Sequence, residues 1–221
     1  MPTEARLRDE VVAAARGLKA RCLTAGRSGN VSARWQDGYL VTPSGVAYED
    51  MEPQHIVLVD AAGAPALGAL VPSSEWQLHR EIYRARPDVK AIVHAHPRYS
   101  TALACARREI PAFHYMVAIA GGRSIRCAPY ATFGSLELAR HAVEALRDRR
   151  ACLLSNHGSV AVNATHARAL DLIEEVEWLA AQYLAALTAG PPTILWDAEM
   201  ERVIEKFRTY GQPGPTDRLE S

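Results

Sequence analysis

The chain has 221 residues, with 25 Lys plus Arg against 25 Asp plus Glu and a formal net charge of zero. That length suits one large domain, and the charge balance, with no basic block, argues against nucleic acid as a partner. No apolar run reaches membrane-span length, Met1 to Ala20 is too charged for a secretory signal, and Cys22, Cys105, Cys127 and Cys152 form no C-x-x-C pair, so a reduced cytoplasmic setting with buried thiols is expected.

Residues 4–24 carry Leu7, Val11, Ala15 and Leu18 at helical spacing among charges. The run Gly26 to Asn30 breaks that helix. Val31, Ala33 and Trp35 then alternate with polar residues, Asp37-Gly38 is a hairpin signal, and Tyr39-Leu40-Val41 returns antiparallel. Thr42-Pro43-Ser44-Gly45 closes the hairpin beside Asn30, and residues 55–60 form another strand. Pro72-Ser73-Ser74-Glu75 predicts a helix start, with Ser73 or Ser74 as N-cap and Trp76, His79 and Tyr83 on one face.

Ala91-Ile92-Val93-His94-Ala95-His96-Pro97 predicts a buried strand. Its two histidines, spaced two apart, point to one side. A short helix at 100–107, a strand at 124–128 and a helix at 135–149 with Leu138, Ala142 and Leu146 inward come next. A strand at 151–155 then leads through Asn156-His157-Gly158 into Val160-Ala161-Val162. A long helix over 165–187 turns Leu172, Val176, Leu179 and Tyr183 inward, and Pro191-Pro192 ends it. A last helix over 198–210 precedes a polar tail. Hairpin-like strands flanked by helices give a three-layer α/β/α sandwich around a mostly antiparallel sheet. One domain over 1–211 with a flexible tail at 212–221 is expected.

Two imidazoles on one face can hold a divalent transition metal, most simply zinc, and a catalytic zinc takes three protein ligands. His157 is the third candidate. Gly29-Asn30, Thr42 to Gly45 and Ser73-Ser74 offer hydroxyls and backbone N–H groups, which suit a phosphate where they meet a helix N-terminus. Arg27 is the one cation among them, so neutral donors would hold the phosphate. Glu75 would be a carboxylate near both phosphate and metal, a layout for proton transfer beside a polarised carbonyl. Tyr115 and Tyr210 are candidate weak acids; a Tyr in an apolar segment is also an ordinary core aromatic.

These pieces occur in a recognisable order. Gly29-Asn30-Val31-Ser32, Thr42-Pro43-Ser44-Gly45, Ser73-Ser74-Glu75-Trp76, His94-Ala95-His96, Phe113-His114-Tyr115-Met116, the run Ala128 to Gly134, Asn156-His157-Gly158 and the run Glu205 to Gly211 together resemble the class II aldolase/adducin family. The resemblance spans roughly residues 5–211. It implies a homotetramer and one zinc per subunit on His94, His96 and His157, with Glu75 as acid/base and additional ligand. It assigns phosphate to Gly29, Asn30, Ser44, Gly45, Ser73 and Ser74. Tyr115 would enter from a neighbouring subunit near Phe133, and Phe207 and Tyr210 would help close the pocket. Ser44 stands where relatives often carry Thr, and the hydroxyl is kept.

The implied reaction is cleavage of a ketose 1-phosphate, of the L-fuculose 1-phosphate type, to dihydroxyacetone phosphate and a small aldehyde. Cleavage of 5-deoxyribulose or 5-methylthioribulose 1-phosphate is the alternative, since a pocket separates a methylene by only about 1–3 kcal/mol. A pentulose-phosphate 4-epimerase is a further alternative, but the acidic residue that such epimerases use near 113–116 is absent. A non-catalytic adducin-type module would be expected to lose the histidines or Ser-Ser-Glu, and all are present.

Overall fold

Helix α1 (Glu4–Ala20) opens the chain, and strands β1 (Asn30–Trp35), β2 (Gly38–Val41) and β3 (Val57–Val59) follow it. Next come α2 (Trp76–Ala85), β4 (Ala91–Ala95), α3 (Arg98–Cys105), β5 (Cys127–Ala128) and α4 (Leu136–Ala145). Strands β6 (Ala151–Leu154) and β7 (Gly158–Asn163) form a hairpin before α5 (His166–Ala189) and α6 (Asp197–Arg208). This computed structural model describes residues 2–208, so Tyr210 and the tail lie outside the described residues. Among the described residues, no helix is long and apolar enough to cross a membrane.

The strands form one sheet in the order β3-β2-β1-β4-β7-β6-β5. Every pair is antiparallel except β5 with β6. The expected mostly antiparallel three-layer sandwich is therefore present. Because strand side chains alternate, each central strand feeds both faces. Val31, Ala33, Val93 and Ala161 pack under α1, α3 and α5, while Ile92, Val160, Val162 and Tyr39 pack under α2 and α4. Fully burying each Val or Ile side chain contributes about 1.5–3 kcal/mol, and each Ala less. The residues expected inward on α4 (Leu138, Ala142, Leu146) and on α5 (Leu172, Val176, Leu179, Tyr183) are all buried.

Several boundaries differ from expectation for local reasons. Helix α1 stops at Ala20, because Cys22 takes a left-handed backbone (φ 56°) and the Leu23 N–H reaches back to the Leu18 carbonyl. Leu23 is then buried against the core. The strand near 55–60 shortens to β3, because Pro53–His55 form a 3-10 turn. The strand expected at 124–128 reduces to β5, with Ile125 making only an isolated bridge to Ile110. Neither Ser73 nor Ser74 caps α2: Glu75 occupies the N-cap position, without a side-chain cap. The thiols are not uniformly buried either. Cys152 is buried, Cys22 and Cys105 are exposed, and all four are free.

Candidate metal centre and anion cradle

Strand β4 delivers His94 fully buried, and His96 follows just past its end, ahead of Pro97 at the N-cap of α3. The β6–β7 hairpin supplies His157 from its turn, where Asn156 adopts a left-handed φ of 55°. Gly158 is needed there: a Cβ would lie 2.4 Å from the Ala95 carbonyl oxygen and 2.5 Å from the His96 ring. Gly29, at φ +98°, likewise lets the first loop approach the His94 carbonyl. Glu75 at the head of α2 completes the group.

The ligand-type atoms of Glu75, His94, His96 and His157 all lie within 4.8 Å of one another. His94 Nε2 is 3.0 Å from His96 Nε2 and 3.0 Å from Glu75 Oε2, and His157 Nε2 is 3.4 Å from Glu75 Oε1. Ligands about 2.0–2.1 Å from a tetrahedral ion sit roughly 3.4 Å apart, so these spacings fit a metal. The His94 ring donates from Nδ1 to the Ser159 carbonyl at 2.9 Å, which turns Nε2 toward the cluster, where a metal would take the place of its proton. Glu75 Oε1 is buried and accepts no hydrogen bond. A buried carboxylate oxygen without a partner is costly, and a cation would satisfy it. On these observations the residues fit a divalent metal.

Of the three imidazoles, burial holds two neutral, while the third pairs with Glu75. Burial drives the His96 imidazole down to about 3 and the His157 imidazole down to about 4, with the His94 charge adding to both shifts. Both rings are therefore neutral ligands at neutral pH. Burial alone would raise the Glu75 carboxyl, but the His94 charge and hydrogen bond, then His157 and the Asn30 amide, hold it well below the usual carboxylate range. Burial opposes a charge on His94, yet the adjacent Glu75 outweighs it and moves His94 upward.

A cleft of about 380 Å³ opens above this cluster. Gly29, Asn30, Ser44, Gly45, Ser73 and Ser74 all border it, together with Glu75, His96 and His157. The three small-residue loops are tied together. Val31 N–H donates to Thr42 Oγ1, Ser73 N–H to the Thr42 carbonyl, and Arg27 Nη1 to the Gly45 carbonyl at 2.8 Å. The positive end of α2 faces the same space. Asn30 is less free than its neighbours: Nδ2 donates to Glu75 Oε2 at 3.0 Å, and Oδ1 meets His79 Nε2. Phe133 stands on the rim, 65% exposed.

Other expected residues are not at the cleft within this chain. Tyr115 starts a 3-10 turn, half-exposed, and does not border it. Phe207 packs against the core and lines a separate cavity with Arg86, Arg149 and Arg150. Sequence reasoning left Asn156, Tyr130 and Ala131 without a role, although they line the cleft beside His157 and Phe133. Their position in the Asn156-His157-Gly158 and Ala128-to-Gly134 runs was the available signal. The link between Asn30 and Glu75 had none, because residues 45 apart meet only through the fold.

The class II aldolase and adducin N-terminal domain family matches residues 9–184 of the chain. A 5-methylthioribulose-1-phosphate/5-deoxyribulose-1-phosphate aldolase of Rhodospirillum rubrum is 51% identical over 205 residues, 93% of this chain and 92% of that one. An L-fuculose phosphate aldolase of Escherichia coli strain K12 is 50% identical over 190 residues, 86% of this chain and 88% of that one. A solved L-fuculose 1-phosphate aldolase superposes with a TM-score of 0.89 at 40% identity, covering 92% of this chain and 96% of that one.

Proposed function

Since the chain belongs to the class II aldolase and adducin family, we propose that it is a zinc-dependent aldehyde-lyase cleaving a ketose 1-phosphate of the L-fuculose 1-phosphate type. The products are dihydroxyacetone phosphate and a small aldehyde. One observation carries this reading: a Glu and three His converge within 4.8 Å, below a cleft rimmed by Ser, Gly and Asn.

His94, His96 and His157 would hold the metal, with Glu75 as an additional ligand. When bound, zinc supplies Lewis-acid polarisation of a carbonyl and stabilises developing oxyanion charge. Gly29, Ser44, Gly45, Ser73 and Ser74 bind the phosphate, helped by the head of α2 and the remaining N–H of Asn30. That anchors the dihydroxyacetone phosphate half with its C3 over Glu75. Glu75 Oε1, the carboxylate oxygen without a hydrogen bond, carries the proton to and from C3 as the C3–C4 bond breaks or forms. Tyr115 of a neighbouring subunit handles the proton of the C4 oxygen, with Phe133, Phe207 and Tyr210 closing the aldehyde side. This needs an assembly, and a homotetramer is the form we propose. Free cysteines throughout suit a reducing cytoplasm.

The Rhodospirillum rubrum relative supports a second reading, since its identity is equally high over a larger share of the chain. It changes only the aldehyde half, to that of 5-methylthioribulose or 5-deoxyribulose 1-phosphate. Incubating the purified protein with these ketose 1-phosphates and L-fuculose 1-phosphate, and measuring dihydroxyacetone phosphate, tests both. The highest kcat/KM identifies the aldehyde, and no release from any of them refutes the proposal.

A further inference from the structure

A buried line of polar side chains leads from Glu75 away from the cleft. Asn30 and Ser32 share one face of β1, two residues apart, and α2 covers that face with His79 and Tyr83, four residues apart. Glu75 Oε2 accepts from Asn30 Nδ2 at 3.0 Å, and Asn30 Oδ1 meets His79 Nε2. His79 Nδ1 meets Ser32 Oγ at 2.6 Å, and Ser32 Oγ meets Tyr83 Oη at 2.8 Å. Asn30, Ser32, His79 and Tyr83 are all at most 4% exposed.

Elementary donor counting gives this line one direction. A carboxylate only accepts, so Asn30 must turn its NH2 to Glu75 and its carbonyl oxygen to His79. His79 must then donate from Nε2 and accept at Nδ1. Ser32 must spend its single hydrogen on His79, so Tyr83 must give its own to Ser32 at 2.8 Å rather than to the Lys90 carbonyl at 3.5 Å. Burial holds His79 neutral, down to about 3, and keeps the Tyr83 phenol protonated, so each group has the form its place requires.

We propose that His79, Ser32 and Tyr83 are positioning residues that lock the Asn30 amide, and through it the Glu75 carboxylate. Without the lock the amide can turn over and present its oxygen to Glu75, an unfavourable contact in a buried site. The lock keeps Oε2 engaged and leaves Oε1, 3.4 Å from His157 Nε2, as the oxygen that would serve ligation and proton transfer. The inference rests on the reading of Glu75 as ligand and acid/base.

The decisive experiment is 15N NMR of the zinc-loaded protein labelled at histidine, with assignment by His79→Gln. The expected result is a single neutral His79 tautomer with its proton on Nε2. A proton on Nδ1 would reverse the whole line and overturn the proposal. This readout needs no substrate, so a wrong tautomer leaves the aldolase reading standing, while a protein inert toward ketose phosphates leaves the tautomer result standing. Ser32→Ala supplies the functional arm. Its zinc dissociation constant, measured by chelator competition, should rise, though by less than the about 10-fold or more expected for losing a direct outer partner of a ligand such as Asn30. kcat should fall with KM unchanged, and Tyr83→Phe, one bond further out, should do less. If Ser32→Ala leaves zinc affinity and kcat at parental values, or raises only KM, Asn30 serves the phosphate and the lock is refuted.

Discussion

The cleft has two unlike sides. On the side of the histidine cluster, His94 is fully buried, Asn30 is 3% exposed and Glu75 5%, and each is held by neighbours in its own chain. On the other side Tyr130 and Phe133 are 53% and 65% exposed, and Tyr115 stands half-exposed away from the cleft. The side that handles charge is finished within one chain, because buried charged groups need their partners fixed in advance. The aromatic side is left open. On the proposed function, the fixed half would set the chemistry and the open half would leave the aldehyde to be chosen. This is in keeping with aldolases of two substrate names resembling the chain almost equally.

The contrast can be broken most severely at the metal. His94→Ala or His157→Ala should leave a folded chain without tightly bound zinc and lower kcat/KM by about 10³ or more, since the Lewis acid contributes several kcal/mol. Metal analysis beside the rate checks this; full occupancy in either variant would mean the ligands are misassigned. Glu75→Gln should lower cleavage by about 10²–10⁴ and abolish solvent-deuterium exchange into dihydroxyacetone phosphate. Ser73→Ala should raise KM by about 10- to 100-fold, since a donor to a charged oxygen contributes roughly 1.5–3 kcal/mol. An unchanged KM would remove Ser73 from the cradle.

The open side should respond differently. Tyr115→Phe should slow cleavage but keep the deuterium exchange, because no aldehyde takes part in it. Loss of both would move Tyr115 to the fixed side. Light scattering on the parent should report four chains, and a fully active monomer would remove the neighbour's contribution.

The stability of the metal-free protein should respond to pH. Burial holds His79, His96 and His157 neutral, down to about 3, 3 and 4 from 6.5. The unfolded chain gains protons below pH 6.5 while these native rings do not. Their contribution is therefore complete above 6.5 and lost as pH falls toward 4 and 3. His94 has the opposite sign: its contribution is present below 6.5 and lost as pH rises through its raised native value. Below 6.5 it is protonated in both states and offsets nothing. Denaturant midpoints should fall between pH 6.5 and 4; a flat profile would mean that water reaches the rings.

Much of the fixed side was legible because its signals are short-range. His94-Ala95-His96 placed two rings by strand alternation, and the loops of Asn30, Ser44 and Ser73 that were singled out together border one cleft. The helical stripes on α4 and α5 were legible by the same kind of periodicity. What was not legible depends on pairing across the fold. The Asn30 amide was named for phosphate alone, and its second link appeared only once the β1–β4 register put it opposite His94, with Glu75 in reach. The end of α1 was hidden because a left-handed Cys22 carries no glycine-like signal. Phe207 was named for the cleft but packs elsewhere in its own chain. The Tyr115 role needs surfaces that one chain does not contain.

The most direct test of the central claim is deuterium exchange at C3 of dihydroxyacetone phosphate, followed by proton NMR in heavy water. It uses only the fixed side: cradle, Glu75 and metal. The account predicts exchange by the zinc-loaded protein, its loss after chelation, and its return on adding zinc back to the stripped chain. Exchange that persists at the same rate in metal-free protein would contradict it.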